Sequence, residues 1–133
     1  MILVLETEVD PDGRYFVPEI RRHLEAAGAT VRVHHYADSG GRPDALEDAD
    51  AVVISGSTAG AYETDAHPWM DDLRDLVREL RDDRVPTLGI CFGHQLITDA
   101  LGGHVEHRGL RTGIETVRFG DDPLFEGVDA RVP

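Results

Sequence analysis

The most informative part of this chain is the heptapeptide Gly89-Ile90-Cys91-Phe92-Gly93-His94-Gln95, which holds its only cysteine. An apolar, strand-like run precedes it at 85–90, and a helix-like run follows it at 96–101. A Gly-x-Cys-x-Gly pattern between a strand and a helix is the cysteine form of the nucleophile elbow. The glycines leave space where a Cβ would clash, and the N-terminus of the following helix favours the thiolate. The pattern therefore predicts that Cys91 is a nucleophile; the alternative is a small, buried structural cysteine.

Apolar runs alternate with helical patterns along the rest of the chain. Short apolar runs without alternation are typical of strands that are buried on both faces. Strands that alternate with helices predict an α/β fold, a doubly wound and mostly parallel sheet with helices on both faces, as in flavodoxin. The predicted strands are 2–5, 30–33, 51–54 and 85–90, with later strands at Val105 and 114–119, and the predicted helices lie around 20–27, 69–80 and 96–101.

Two motifs follow directly after predicted strands. The loop that begins Ser55-Gly56-Ser57-Thr58 comes after the strand 51–54, and Cys91 comes after the strand 85–90. In an open parallel sheet, binding sites lie beyond the carboxyl ends of the strands. We therefore expect Gly56 and Cys91 to face one crevice.

The heptapeptide, with its Gln four residues after the Cys, resembles the class I glutamine amidotransferases, and above all the glutaminase domain of GMP synthase. Three further segments resemble parts of that family: 51–57, its second strand-and-glycine motif; Leu101-Gly102-Gly103-His104-Val105, its exit from the elbow helix; and Arg111-Thr112-Gly113-Ile114, its next strand entry. The resemblance extends over nearly the whole chain. One departure is Ser55-Gly56-Ser57-Thr58, where the family often has Ser-Gly-Gly-Pro.

The resemblance implies a chemistry and a role for each matched residue. Cys91 would attack the side-chain amide of glutamine, and the N–H groups of Phe92 and the Gly56 loop would form the oxyanion hole. Gln95, Ser57 and Thr58 would bind the substrate, with Tyr62 as a further candidate. The family needs no cofactor for this step, and the ammonia would pass to a synthetase subunit or domain.

The resemblance also implies a catalytic His and an acidic partner near the C-terminal end, arranged as His-x-Glu. No histidine of this chain is assigned to that pair, and the segment that holds it is expected to lie beyond Pro133. Residues 1–133 are therefore expected to form the N-terminal portion of one incomplete amidotransferase domain, inactive as an isolated polypeptide. His94, three residues after Cys91, is expected to have a structural role rather than to act as the base.

Composition limits the function classes that fit this chain. Its 26 acidic and 13 basic residues give a formal charge of -13, and every basic residue is Arg. This balance argues against a nucleic-acid partner, because phosphate binding needs basic patches. It fits a salt-adapted protein in which ions screen self-repulsion, with an ordinary acidic bacterial protein as the alternative.

One cysteine excludes an internal disulfide, and the histidine pairs lack the further ligands of a metal site. No apolar run is long enough for a membrane span and no signal-peptide pattern is present, so we expect a cytoplasmic protein.

Three functions remain open at this point. The leading one is a glutamine amidotransferase domain. The second is a cysteine-elbow hydrolase of another γ-glutamyl compound, or a deglycase-like relative of the same fold. Gln95 distinguishes the first two functions, because it favours glutamine as the substrate. The third is a catalytically silent domain that only binds a partner.

Overall fold

The central sheet has four parallel strands in the order β2-β1-β3-β4. In the computed structural model, which describes residues 1–109, 112–114, 116–128 and 131–132, these strands are β1 (Ile2–Glu6), β2 (Val31–His35), β3 (Ala51–Ile54) and β4 (Thr87–Gly89). The register pairs Ile2 with Val31 on one side and with Ala51 on the other. All four strands lie within a residue or two of the predicted ones, and the predicted parallel α/β architecture is confirmed.

Helices cover both faces of this sheet. They are α1 (Phe16–Ala26), α2 (Tyr36–Ser39), α3 (Trp69–Asp82) and α4 (Phe92–Ala100). On one face Val17 of α1 packs against Val4 and Val53. On the other face α3 and α4 pack on the side chains of Leu3, Leu5 and Ile54. Short 3-10 helices lie at Pro11–Gly13, Asp44–Asp48 and Pro123–Phe125.

The burial of β1 explains why its sequence lacks polar alternation. Leu3, Val4 and Leu5 are all fully buried, because successive side chains enter opposite helix layers. Helix α3 shows the complementary pattern, since one face is apolar and the other is charged. Its buried residues are Met70, Leu73, Leu76, Val77 and Leu80.

The chain after α4 differs from the sequence prediction. Val105 lies in irregular structure, and Ile114 is 88% exposed. The strand that was predicted for 114–119 is only β5 (Val117–Arg118), which pairs antiparallel with β6 (Arg131–Val132) in a separate small sheet. A run of apolar residues predicts a strand only where other elements can bury it, and no element covers Ile114 within the described residues. Arg111, from the strand entry at 111–114, lies outside the described residues.

Strand β4 is an edge of the four-stranded sheet and is open on one face. Leu88 lies in register with Val53 and Val4, so it shares their face, yet it is 46% exposed. Ile90, two residues on, is 37% exposed. Helix α1 contacts β1 and β2 and leaves this part of the face uncovered.

In the part of the chain that the structure describes, no helix is both long and apolar enough to cross a membrane.

Candidate active site

Cys91 occupies the sharp turn between β4 and α4. Its backbone has φ 51° and ψ −106°, a conformation that L-residues rarely adopt. The residue caps the N-terminus of α4 and is exposed to solvent. The structure therefore shows the strained strand-to-helix turn that the heptapeptide predicts, with the thiol outside the core rather than within it.

Two glycines make this turn possible because backbone fills the space of their side chains. A Cβ on Gly89 would lie 2.5 Å from the carbonyl carbon and oxygen of Gly93. A Cβ on Gly93 would overlap the carbonyl oxygen of Ile54 at the end of β3. The N–H of Gly93 donates to the carbonyl of Ser55 at 3.2 Å, which joins the elbow to the end of the neighbouring strand β3. The predicted steric reason for both glycines is confirmed.

The loop that follows β3 lies against the elbow. We call residues 55–60 the glycine loop. A Cβ on Gly56 would lie 3.6 Å from the Cβ of Cys91, so this position adjoins the thiol-bearing side chain directly. The register of β3 with β4 brings the two strand ends together, since Ile54 pairs with Gly89. The expectation that Gly56 and Cys91 face one crevice matches this geometry.

A cavity of about 280 Å³ opens between the elbow and the glycine loop. Its walls hold most of the residues that sequence reasoning selects, namely Cys91, Phe92, Gln95, Ser57, Thr58 and Tyr62. Gly56 lies beside Cys91 but does not line this cavity. The opposite wall is the segment 105–108, which sequence reasoning did not select.

Three backbone N–H groups near Cys91 have no hydrogen-bond acceptor within the described residues. Within the described part of the chain, the N–H groups of Gly56, Ser57 and Phe92 donate to no protein acceptor. Phe92 follows Cys91 in the chain, and Ser57 lines the same cavity as Cys91. Such donors are what an oxyanion hole requires, and Ser57 N–H is a candidate next to the predicted Gly56 N–H.

Thr58 lines the cavity and also contacts Glu8, which the sequence did not reveal. Its hydroxyl donates to Glu8 Oε1 at 2.6 Å, and its N–H lies 3.1 and 3.0 Å from the two Glu8 oxygens. Glu8 is buried, at 3% exposure. Burial alone would raise the pKa of this carboxyl, but hydrogen bonds from Thr58 and from the N–H groups of Asp10 and Val9 outweigh it and lower the pKa. Glu8 is therefore an anionic anchor beneath the cavity wall.

The histidines near the elbow divide between two cavities. His94 does not line the cavity of Cys91; it lines a neighbouring cavity of about 330 Å³ together with His104. His107 is the described histidine that shares a cavity with Cys91, and its ring lies 5.7 Å from that of Tyr62. Gln95, Glu106 and Arg108 line both cavities.

The chain contains the His-x-Glu pattern twice, at His23-Leu24-Glu25 and at His104-Val105-Glu106. The first lies on α1, away from the elbow. In the second, His104 Nε2 lies 3.7 Å from a Glu106 oxygen, but His104 lines the neighbouring cavity and not that of Cys91. This second triplet could have been found in the sequence, because it follows soon after the predicted helix that begins at the elbow.

Comparison with known proteins agrees with this architecture. A family model described as glutamine amidotransferase class-I matches residues 13–132. GMP synthase [glutamine-hydrolyzing] of Thermotoga maritima is 36% identical over 87 residues, which are 65% of this chain and 16% of that protein. Gamma-glutamyl peptidase 4 of Arabidopsis thaliana is 48% identical over 61 residues, which are 45% of this chain and 23% of that protein. The matched segments thus span less than a quarter of either relative.

Two solved structures show the same fold. A glutamine amidotransferase from Thermotoga maritima superposes with a TM-score of 0.76 at 23% identity, over 99% of this chain and 57% of that one. Another, from Methylobacillus flagellatus, gives 0.58 at 24% identity, over 76% of this chain and 38% of that one. The match of the family model over 13–132 decides the assignment: the chain belongs to the class I glutamine amidotransferase family.

Proposed function

We propose that Cys91 is the nucleophile for hydrolysis of the side-chain amide of glutamine to glutamate and ammonia, by way of a thioester on its sulfur. The observation that carries the proposal is the position of Cys91, exposed at the elbow and sharing a cavity with Phe92 and Ser57, whose N–H groups have no acceptor among the described residues. Membership of the class I family supports a glutaminase activity of this kind.

The chemistry has two halves. The Cys91 sulfur attacks the amide carbon of glutamine, and the carbonyl oxygen becomes an oxyanion that accepts hydrogen bonds from Phe92 N–H and from the glycine loop. The intermediate collapses with loss of ammonia, which takes a proton from the base, and leaves a γ-glutamyl thioester. The proton given to ammonia is the one that the base took from the thiol. The base then takes a proton from the water that attacks this thioester, and glutamate departs as the sulfur regains that proton.

Charged and polar groups of the cavity suit the other end of glutamine. The substrate carries an α-ammonium and an α-carboxylate, and Glu106 and Arg108 are the acidic and basic side chains of the cavity wall. Gln95 lies one helical turn after Cys91 and lines the same wall. We assign Gln95 to substrate binding, together with Ser57 and Thr58 on the opposite loop.

The base and the ammonia acceptor are the two remaining parts of the proposal. By the resemblance, the base is the histidine of a His-x-Glu pair. Within the described residues His107 lines the Cys91 cavity, but it is not part of such a pair. The acceptor is a synthetase subunit or domain, as the name of the GMP synthase relatives suggests.

The single cysteine makes a direct test possible. Glutamate release is measured for the wild-type protein and for Cys91→Ala, with the melting temperature of each as the control for folding. We expect turnover to vanish in Cys91→Ala. Mass spectrometry of protein quenched in acid during turnover should show one γ-glutamyl adduct on the peptide that contains Cys91. Turnover by Cys91→Ala would disprove the assignment of the nucleophile.

A second substrate class is favoured by the neighbouring cavity. The two cavities share Gln95, Val105, Glu106 and Arg108, so a group larger than ammonia can occupy the space beyond the scissile bond. Gamma-glutamyl peptidases are among the relatives. The test compares kcat/KM for glutamine with kcat/KM for a γ-glutamyl dipeptide. A ratio that strongly favours the dipeptide would identify a γ-glutamyl peptide hydrolase instead.

A further inference from the structure

We propose that Glu8 is a positioning residue of this site, and that its buried carboxylate holds the glycine loop so that the loop's N–H groups face Cys91. The inference deepens the proposed function and rests on it for its catalytic consequence. Glu8 follows β1 and lies 50 residues before Thr58 in the sequence, and no local pattern connects the two.

The contacts of Glu8 concentrate on one point of the loop. Three distances join its carboxylate to Thr58: 2.6 Å from the hydroxyl, and 3.1 and 3.0 Å from the N–H. A fourth contact, 2.9 Å from the N–H of Asp10, fixes the carboxylate to its own segment. Hydrogen bonds to a charged acceptor are stronger than neutral ones, so the loop is tied to an ionic anchor.

The site around Glu8 is shaped for a carboxylate. A Cβ on Gly13 would lie 2.8 Å from the carboxyl carbon of Glu8, so a glycine is needed there for the side chain to take this place. Removing a carboxylate from water is costly unless it is hydrogen-bonded, and the donors of Thr58 and Asp10 meet that need. The hydrogen bonds from Thr58 and Asp10 therefore stabilise the Glu8 carboxylate in its buried position.

Thr7 attaches the start of the same loop. Its N–H donates to Ser55 Oγ at 3.0 Å, and its hydroxyl donates to the carbonyl of Ser55 at 3.0 Å. Thr7 and Ser55 are both fully buried. Thr7 therefore holds the glycine loop at Ser55, and the next residue, Glu8, holds it at Thr58. Between these points lie Gly56 and Ser57, whose N–H groups have no acceptor within the described residues.

The consequence concerns the direction of those donors. Oxyanion donors are effective only when they are fixed before the reaction, and loss of one donor lowers kcat by about 100-fold to 1,000-fold. Glu8→Gln keeps the size of the side chain but loses its charge and one acceptor oxygen. We therefore expect kcat for glutamine to fall about 10-fold to 100-fold while KM changes less than threefold.

Glu6→Gln is the matched control. Glu6 is equally buried, at 3% exposure, and lies two residues earlier on the chain, but its carboxylate contacts His35 and not the loop. Both variants lose a buried carboxylate near the end of β1. Only Glu8→Gln should weaken the loop. In hydrogen exchange of residues 55–60, Glu8→Gln combined with Thr58→Val should be little worse than Glu8→Gln alone, because the two side chains act together.

Two measurements on the full-length protein decide the matter. The first is amide hydrogen exchange of residues 55–60, which reports the anchor without reference to activity. The second is the steady-state kinetics of glutamine hydrolysis. Faster loop exchange and a lower kcat in Glu8→Gln, with both near wild type in Glu6→Gln, would support the proposal.

Other outcomes overturn it at separate points. Unchanged loop exchange in Glu8→Gln would refute the anchor, and faster exchange with an unchanged kcat would refute its catalytic consequence. Equal losses in both variants would show only a general need for buried carboxylates. A wild-type protein without glutaminase turnover would refute the proposed function, and the exchange measurement alone would then decide whether Glu8 holds the loop.

Discussion

Replacing Cys91 by glycine should make the protein more stable while removing its nucleophile. Cys91 has φ 51° and ψ −106°, where the Cβ of an L-residue meets its own backbone. Such a residue costs about 1–3 kcal/mol of folding free energy. Glycine adopts the conformation freely but loses about 0.5–1 kcal/mol more entropy on folding. The side chain of Cys91 is exposed, so its removal sacrifices little burial.

The difference leaves a net gain of at most about 2.5 kcal/mol, centred on about 1 kcal/mol, for Cys91→Gly. For a chain of this size the gain corresponds to a rise in melting temperature of about 2–8 °C. Cys91→Ala is the matched control, because alanine lacks the thiol but keeps the strained Cβ. Its melting temperature should stay near that of the wild type.

Thermal unfolding of the three proteins, followed by circular dichroism in one buffer, checks the reasoning. The order Gly above Ala, with Ala close to wild type, is the expected result. A Cys91→Gly variant that melts at or below Cys91→Ala would show that the elbow stores no strain, and the physical account of the turn would have to be abandoned.

Four other results are expected. Gln95→Ala should raise KM for glutamine far more than it lowers kcat, and an unchanged KM in steady-state kinetics would exclude its binding role. Gly93→Ala should destabilise the fold by at least about 2 kcal/mol in urea titrations, because its Cβ would overlap a carbonyl of β3; a change below 0.5 kcal/mol (roughly the scatter of neutral surface substitutions) would contradict this. The melting temperature should rise from low to molar salt, since a net charge of -13 leaves repulsion for ions to screen, and a flat or falling curve would rule out salt adaptation. The 133-residue polypeptide should not hydrolyse glutamine at an enzymatic rate; if it does, His107→Ala is the first variant to assay, with His94→Ala as the control from the neighbouring cavity.

The elbow was predictable because its constraints are local. Gly89 and Gly93 lie within a few residues of Cys91, and a strand-to-helix turn of that length leaves few backbone solutions. The parallel sheet was predictable for a similar reason, since β1 and β3 are short apolar runs that can be buried only between two helix layers. The weak predictions lay after α4, where the apolar residue Ile114 has no covering element within the described residues.

The local sequence was thus enough to predict the strained turn that presents Cys91 and the family to which the chain belongs. It could not identify Glu8 as the anchor of Thr58, nor His107 and Arg108 as the far wall of the cavity. These contacts join segments that are separated along the chain. The strand order β2-β1-β3-β4 places the ends of β1 and β3 side by side, which joins Glu8 to Thr58, whereas His107 and Arg108 reach the cavity on the segment after α4. Periodicity and motif spacing report what a segment does by itself, whereas the partners of a buried charge depend on which strand ends the sheet brings together.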